Sequence, residues 1–239
     1  MGTIRIVVDN KAADGFVAEH GFALWLEADE RVILFDTGNK DALQPNSRKL
    51  NLSFTDLTDL VLSHGHYDHT GGVETVLQET STIQLYLHQA AMQPRYSGDN
   101  DDARSVRMSA GAMQSLGSLK DESIHWLTHP FKISNHIGIT GPISRLTDYE
   151  DTGGSFFYDP WGKRPDPIED DNAVWVQTPK GLVVCVGCSH AGIVNTLEAI
   201  MDVTGETKIH AVIGGLHLLN ASAERLQKTV DALNTFDID

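Results

Sequence analysis

The sequence predicts an α/β protein in which two β-sheets form a sandwich covered by helices. Three observations lead to this prediction: strands joined by short turns open the chain, β-α-β units follow them, and the same order returns in the second half. A length of 239 residues suits one large domain or two small ones. We expect one domain over residues 1–239, with a lid or insert within about 94–170.

The first half of the chain alternates apolar runs with turn formers. The runs predict strands at residues 3–8, 22–27, 31–35, 57–63 and 83–87. Helical patterns follow at residues 71–79, from residue 88, and near residues 105–116. Since the first predicted helix, at residues 71–79, follows four strands, we expect a hairpin region followed by β-α-β units.

The second half repeats this order behind a long irregular segment. Residues 150–170, EDTGGSFFYDPWGKRPDPIED, are rich in turn formers and predict a long loop or lid. A hairpin is predicted at residues 173–177 and 182–186, and a further strand at 210–213. The predicted helices lie at residues 193–202 and 223–233.

Charge and composition disfavour several classes of partner. The formal net charge is −15, and no run of Lys and Arg offers a patch for phosphate backbones, so we expect no nucleic-acid partner. We expect no membrane partner, because the chain lacks an apolar run of about 18 residues. The opening MGTIRIVVDNKAADG lacks the features of a signal peptide, and we therefore expect a cytoplasmic protein.

The two cysteines, Cys185 and Cys188, have CxxC spacing on and beyond a predicted strand. Residues i and i+3 on a strand point to opposite faces, which does not suit a disulfide. A structural zinc site of the common kind would add a second CxxC, and the chain has no further cysteine. We therefore expect Cys185 to lie in the core and Cys188, at the tip of the strand, to be open to a functional role.

The strongest chemical signal is SHGHYDHTGG at residues 63–72, which follows a predicted strand. Imidazole nitrogens and carboxylate oxygens are ligands that suit zinc. We expect His64 and His66 to converge on one ion, the first ion, and Asp68 and His69 on a neighbouring second ion. Two ions about 3.5–4 Å apart share a hydroxide nucleophile in two-metal enzymes. The prediction is two divalent metal ions, with zinc expected first and manganese and iron as alternatives.

The segment ILFDTG, which contains Asp36, and the histidine cluster resemble the first two motifs of the metallo-β-lactamase superfamily. The resemblance implies a four-layer αββα fold of two mixed β-sheets flanked by helices. It also implies that Asp36 supports the metal-binding histidines, because an acid that accepts the far N–H of a ligand histidine fixes its tautomer. Asp36, Asp68 and His69 are the expected catalytic residues.

The later ligands implied by the resemblance follow two strands that end in glycine, within GCSHAG and GGLHL. We expect His190 to complete the ligands of the first ion and His217 those of the second. Cys188 stands about where the family's bridging aspartate would be. Either its thiolate binds metal or the bridge is water alone, and Asp170 and Asp171 are further candidates for the bridge.

A closer resemblance covers nearly the whole chain, with VLSHGHYDHTGG and GCSHAGIVN as its most specific parts. It is to a subgroup named after an archaeal methanopterin-pathway enzyme, which joins a dihydropterin methyl diphosphate to a ribofuranosyl-aminobenzene phosphate. The resemblance implies a small substrate that carries phosphate. One departure is PISR at residues 142–145, where the subgroup has Glu-Ile-Pro-Arg.

Some residues between and around the motifs have two interpretations. Arginine suits phosphate, but each arginine of the intervening segment is first expected to be a solvated surface residue; they are Arg95, Arg104, Arg107 and Arg145. His20 either reaches the site or is a hairpin residue. The predicted lid around Trp161 either closes over a ligand or meets a second copy of the chain, so a homo-oligomer stays open.

The predicted function is that of a metal-dependent hydrolase in which a metal-bound hydroxide or metal pair acts on a small, phosphate-containing substrate. A dihydropterin diphosphate-dependent synthase is one alternative, and a thioester or lactone hydrolase is another. The non-enzymatic alternative is a metal-binding or sensing domain. Turnover of a phosphodiester, a pterin diphosphate or a thioester would separate the enzymatic alternatives.

Overall fold

The computed structural model describes residues 2–80, 82–98 and 103–239. These residues fall into two compact units. The first unit contains Met1–Gln93 and Val106–Trp126, and the second contains Pro94–Ser105 and Leu127–Asp239. The prediction of a single domain with an insert within about 94–170 stays a prediction.

Both units contain strands and helices. The strands are β1 (Thr3–Val8), β2 (Ala23–Ala28), β3 (Arg31–Phe35), β4 (Asp59–Val61), β5 (Gln84–Leu87), β6 (Tyr96–Ser97), β7 (Arg104–Ser105), β8 (Ile124–Trp126), β9 (Phe131–Lys132), β10 (Ile137–Ile139), β11 (Phe156–Phe157), β12 (Ala173–Thr178), β13 (Gly181–Val186), β14 (Lys208–Gly214) and β15 (Asp237–Ile238). The α-helices are α1 (Leu43–Lys49), α2 (Tyr67–Thr70), α3 (Val73–Glu79), α4 (Ala110–Leu116), α5 (Ile193–Thr204) and α6 (Ala223–Leu233). Among the described residues, no helix is both long enough and apolar enough to cross a membrane.

The first unit is built on a six-stranded mixed sheet with the order β1-β2-β3-β4-β5-β8. Strands β1 to β3 are antiparallel, and β3, β4, β5 and β8 run parallel. Phe35 at the end of β3 pairs with Val61 at the end of β4. Because parallel strands end at the same edge of a sheet, the residues after β3 meet the histidine segment after β4.

The second unit carries a six-stranded mixed sheet with the order β15-β14-β13-β12-β10-β9 and a small sheet with the order β11-β6-β7. Strands β13 and β14 are parallel, and Val186 pairs with Gly214 at their carboxyl ends. Beyond them, the backbone N–H of Gly215 donates to the carbonyl of Gly187 at 2.9 Å. The loops that contain Cys188 and His217 therefore start from one edge of this sheet.

Each sheet buries apolar side chains of its own unit. Trp25, Leu34 and Leu60 belong to the core of the first unit. Trp175, Val184 and Leu197 belong to a core in the second unit. The alternation of apolar positions along the strands supplies these cores, and burial of apolar surface stabilises each at about 25 cal/mol per Å².

The predicted α/β class with two mixed sheets is confirmed, and most predicted elements lie within one or two residues of the structure. One predicted helix is wrong in its start. It begins at Ala110 instead of about residue 105, because the side chain of Ser109 accepts from the backbone N–H of Ala112 and caps it there. The segment before the cap includes strand β7, and the expected loop at 150–170 contains the short strand β11.

The interpretation of Arg95 as a surface residue is wrong. Its side chain is fully buried and pairs with the buried carboxylates of Asp170 and Asp166, with an Arg95 Nε to Asp166 Oδ2 distance of 3.0 Å. These contacts anchor the turn-rich segment that ends at Asp170. Arg104 and Arg107 are exposed, as expected.

Replacing Arg95 by Met is expected to destabilise the protein by about 3–5 kcal/mol, because two buried carboxylates lose their cation. Urea unfolding measures this loss. The control is Arg5→Met, which removes a half-exposed pair with Glu27 at 2.7 Å and is expected to cost under about 1 kcal/mol. Equal losses for the two variants would contradict the assignment.

Candidate metal centre

The carboxylate of Asp36 organises the histidine segment of the first unit. Asp36 follows β3, is fully buried, and has a φ of 61° that turns the chain sharply at the edge of the sheet. Its Oδ1 accepts from the backbone N–H of Ser63 at 2.7 Å. Its Oδ2 accepts from the Ser63 hydroxyl at 2.7 Å and lies 2.6 Å from Nδ1 of His69. One carboxylate thus holds both Ser63 and the predicted ligand His69.

These contacts determine the tautomer of His64. Because the hydroxyl hydrogen of Ser63 is directed at Asp36, its oxygen accepts from the Nδ1–H of His64, which lies 2.8 Å away. The lone pair of His64 is then on Nε2. By the same logic, the Nδ1–H of His69 donates to Asp36 and its lone pair is on Nε2. Fixing the distal N–H in this way is how proteins orient metal-binding histidines.

His66 brings a second nitrogen to His64. Its Nδ1 lies 3.0 Å from Nε2 of His64, and both imidazoles are buried. Two histidine nitrogens that bind one tetrahedral zinc ion at 2.0–2.1 Å stand roughly 3.3 Å apart, so the spacing fits a shared ion. Gly65 between them packs tightly: a Cβ there would lie 2.2 Å from the carbonyl oxygen of Ala91.

Asp68 and His69 lie on the short helix α2, which follows the pair of histidines. Oδ2 of Asp68 is 3.5 Å from Nε2 of His69, as expected for groups that face one cation. It is also 3.3 Å from Nε2 of His20, whose Nδ1 lies 3.0 Å from Oδ1 of Asn10. His20 therefore contacts Asp68, a predicted metal ligand.

A second cluster forms in the second unit, after β13 and β14. One potential ligand atom each from Cys188, His190 and His217 lies within 4.8 Å of the other two. The rings of His190 and His217 have centroids 4.5 Å apart. The ring of Phe156 packs edge-on against both, with centroid distances of 5.2 Å and 6.0 Å. Soft thiolate and imidazole donors next to an apolar wall suit zinc.

His190 is oriented by the backbone. Its Nδ1 lies 2.7 Å from the carbonyl oxygen of Thr152, so its Nδ1–H donates and its lone pair is on Nε2. Asp171 acts on the same loop, since its Oδ2 accepts from the backbone N–H of Ala191 at 2.6 Å. Thr152 was not found from the sequence, because a backbone carbonyl leaves no signature in residue type.

The two cysteines differ in the way that the sequence predicts. Cys185 is fully buried and is not in a disulfide, and burial raises the pKa of its thiol to about 12. Cys188 is half-buried beside His190 and His217 and is also not in a disulfide. Of the two, Cys188 is the one whose sulfur lies within 4.8 Å of a potential ligand atom of both histidines.

The structure brings the expected residues of each unit together. His64, His66, Asp68 and His69 gather around Asp36, while His190, His217 and Cys188 form their own cluster. The prediction that His190 completes the ligands of the first ion and His217 those of the second concerns residues of different units and stays a prediction. Asp170 is bound by Arg95, which gives its carboxylate a structural role.

Known proteins that resemble this chain indicate its family. Residues 17–198 match the family model described as the metallo-beta-lactamase superfamily. An uncharacterized protein of Methanocaldococcus jannaschii is 32% identical over 237 residues, covering 98% of this chain and 86% of that protein.

A second protein of Methanocaldococcus jannaschii is 29% identical over 240 residues, which cover 93% of this chain and 79% of that protein. It is a 7,8-dihydropterin-6-methyl-4-(beta-D-ribofuranosyl)-aminobenzene-5'-phosphate synthase. The crystal structure of Tm1679, a metal-dependent hydrolase of the beta-lactamase superfamily, matches with a TM-score of 0.82 and 32% identity. That match covers 99% of this chain and 84% of Tm1679.

The Ser63→Ala variant is expected to bind zinc about 10–100-fold more weakly, because His64 loses the acceptor that fixes its tautomer. Competition with a chromophoric chelator measures the dissociation constant. The matched control is Ser47→Ala, a buried serine whose hydroxyl oxygen makes no hydrogen bond to the described residues. Unchanged zinc affinity in a folded Ser63→Ala protein would refute the role of the Asp36–Ser63–His64 connection.

Proposed function

This chain belongs to the metallo-β-lactamase superfamily, and we propose that it is a metal-dependent hydrolase of a small, phosphate-containing substrate. The observation that carries the proposal is the set of contacts made by Asp36, which places the lone pairs of His64 and His69 on their Nε2 atoms. In metal sites, a carboxylate that accepts the distal N–H of a ligand histidine fixes the tautomer and orientation of its ring. The resemblance to a metal-dependent hydrolase of the same superfamily supports this assignment.

The proposed centre holds two divalent ions, with zinc as the first choice and manganese or iron as alternatives. His64 and His66 bind the first ion, and Asp68 and His69 bind the second. The donors of the second unit (His190, His217 and the thiolate of Cys188) complete the two sets in our proposal. Two distances support this assignment of ligands. His64 Nε2 lies 3.0 Å from His66 Nδ1, and the potential ligand atoms of Cys188, His190 and His217 all lie within 4.8 Å of one another.

Divalent ions, when bound, supply Lewis acidity and lower the pKa of water towards 7. The protein's own residues provide orientation. Asp36 holds His69 directly and His64 through Ser63. In our proposal Asp68, whose Oδ2 lies 3.5 Å from Nε2 of His69, would both bind metal and accept a proton from the nucleophile. Asp36 and His69 are both buried, so the hydrogen bond between His69 Nδ1 and Asp36 Oδ2 is shielded from water.

The second candidate is a synthase that uses a pterin diphosphate. The 29% identity to the synthase of Methanocaldococcus jannaschii over 93% of this chain favours it. In that reaction the same donors would hold ions against the diphosphate leaving group, which accounts for a phosphate-bearing substrate in both candidates. The two candidates differ in the bond that is broken. In the hydrolase, water would attack phosphorus and displace an alcohol, whereas in the synthase the aromatic acceptor would bond to the methyl carbon of the pterin and displace diphosphate.

Assays on one zinc-loaded preparation separate the two. We expect turnover of bis(p-nitrophenyl) phosphate, and a loss of at least about 100-fold in kcat/KM for His64→Ala because one ion loses a ligand. His129→Ala is the control, since His129 is exposed and lies outside both clusters.

Condensation of a dihydropterin methyl diphosphate with a ribofuranosyl-aminobenzene phosphate, without phosphodiester turnover, would replace the hydrolase by the synthase. Equal activity of the His64→Ala and wild-type proteins on every substrate would exclude the proposed centre from the reaction.

A further inference from the structure

The segment 150–153, the clamp loop, contacts both histidines of the second cluster. The carbonyl oxygen of Thr152 accepts from Nδ1 of His190 at 2.7 Å. Gly153 packs against His217, and a Cβ at this glycine, whose φ is 80°, would lie 2.3 Å from Cδ2 of His217. No side chain other than hydrogen fits this approach. The clamp loop therefore determines where both imidazoles stand.

Glu150, the first residue of the clamp loop, fixes the helix that follows His190. Its Oε1 accepts from the backbone N–H of Val194 and its Oε2 from that of Asn195, both at 2.9 Å. The carboxylate is buried at the amino end of α5, where the helix offers N–H groups that no helical carbonyl accepts. His190 is thus restrained at its ring by Thr152 and at its backbone by the helix that Glu150 caps.

The clamp loop is in turn held by a buried arginine. Arg225 on α6 is 2% exposed, and its Nη1 donates to Oδ1 of Asp151, whose side chain is 70% exposed. The same Oδ1 accepts from the backbone N–H of Gly153 at 2.7 Å. Asp151 therefore joins the arginine to the turn that presents Thr152 and Gly153.

The Arg225–Asp151 ion pair is a poor source of folding stability. Burying a guanidinium costs free energy, and an ion pair with a partner that remains in water returns only part of that cost. An apolar side chain of similar length at position 225 would avoid the cost. The contacts of Arg225 with the clamp loop therefore direct attention to the geometry of that loop.

We propose that Arg225, acting through Asp151, is a positioning residue for the metal donors His190 and His217. The inference rests on the proposed function, because it concerns ligands of the proposed ions. Arg225 and Asp151 bind no metal themselves in this proposal. They keep the Thr152 carbonyl against His190, so that its Nε2 lone pair is preorganised for a cation.

The test compares Arg225→Met with the wild type, using zinc alone as the probe and the metal-stripped full chain as the sample. We expect the zinc dissociation constant of at least one site to rise about tenfold, since loss of such supporting contacts costs 10–100-fold in affinity. The matched control is Lys228→Met on the same helix. Lys228 pairs with exposed Glu224 and Asp148 and lies 5.4 Å from the ring of Tyr149; none of these three contacts His190 or His217. The zinc affinity of Lys228→Met is therefore expected to stay unchanged.

A second readout does not depend on metal. In the metal-free wild type, ¹⁵N NMR of the His190 imidazole is expected to show the Nδ1–H tautomer, and Arg225→Met is expected to give a tautomer mixture. If Arg225→Met does not fold, Asp151→Asn serves instead. It keeps an oxygen for Gly153, loses the charge that attracts Arg225, and is expected to shift both readouts in the same direction by less.

The outcomes separate this inference from the proposed function. A wild type that binds no zinc contradicts the proposed function, and the tautomer comparison then still decides whether Arg225 positions His190. A folded Arg225→Met or Asp151→Asn protein with wild-type zinc affinity and a wild-type His190 tautomer would overturn the inference. Weakened zinc binding together with a changed tautomer, and neither change in Lys228→Met, is the result that we expect.

Discussion

The hydrogen bonds of the Asp36 carboxylate are the constraint on which the rest of the first cluster depends. The parallel pairing of β3 and β4 brings Asp36 beside Ser63, and the carboxylate then orders His64 through the serine and His69 directly. A buried carboxylate that lost these donors would cost several kcal/mol, so the contacts stabilise the loop as well as orient it. In this way the local requirement for buried polar groups to be satisfied also orients the two histidines that we propose as metal ligands.

The second unit reaches a comparable result by other means. Here too a parallel strand pair, β13 and β14, brings two loops to one edge of its sheet. The orienting acceptor is a backbone carbonyl, that of Thr152, instead of a carboxylate side chain. The position of a carbonyl depends on the backbone that carries it. In our proposal the Asp151–Arg225 pair holds that backbone in place.

Much of the architecture and of the first cluster was predictable from the sequence, for physical reasons. Long strands such as Thr3–Val8 and Arg31–Phe35 have a clear apolar pattern, and HxHxDH after an apolar strand is a specific sign of metal ligands. Short strands such as Phe156–Phe157 carry too few residues for a periodic pattern. The burial of Arg95 and the roles of Thr152 and Arg225 depend on tertiary partners that are distant along the chain, which no local pattern encodes. The assignment of His190 to the first proposed ion and of His217 to the second stays a prediction.

Metal content per chain, measured by inductively coupled plasma mass spectrometry on protein purified without added metal or chelator, tests the central claim most directly. We expect about two divalent ions per chain, because the donors of the two clusters suffice for two ligand sets. Protein that holds no metal as purified, and none after reconstitution with zinc and with manganese, would contradict it. The histidine clusters would then require an explanation without metal chemistry.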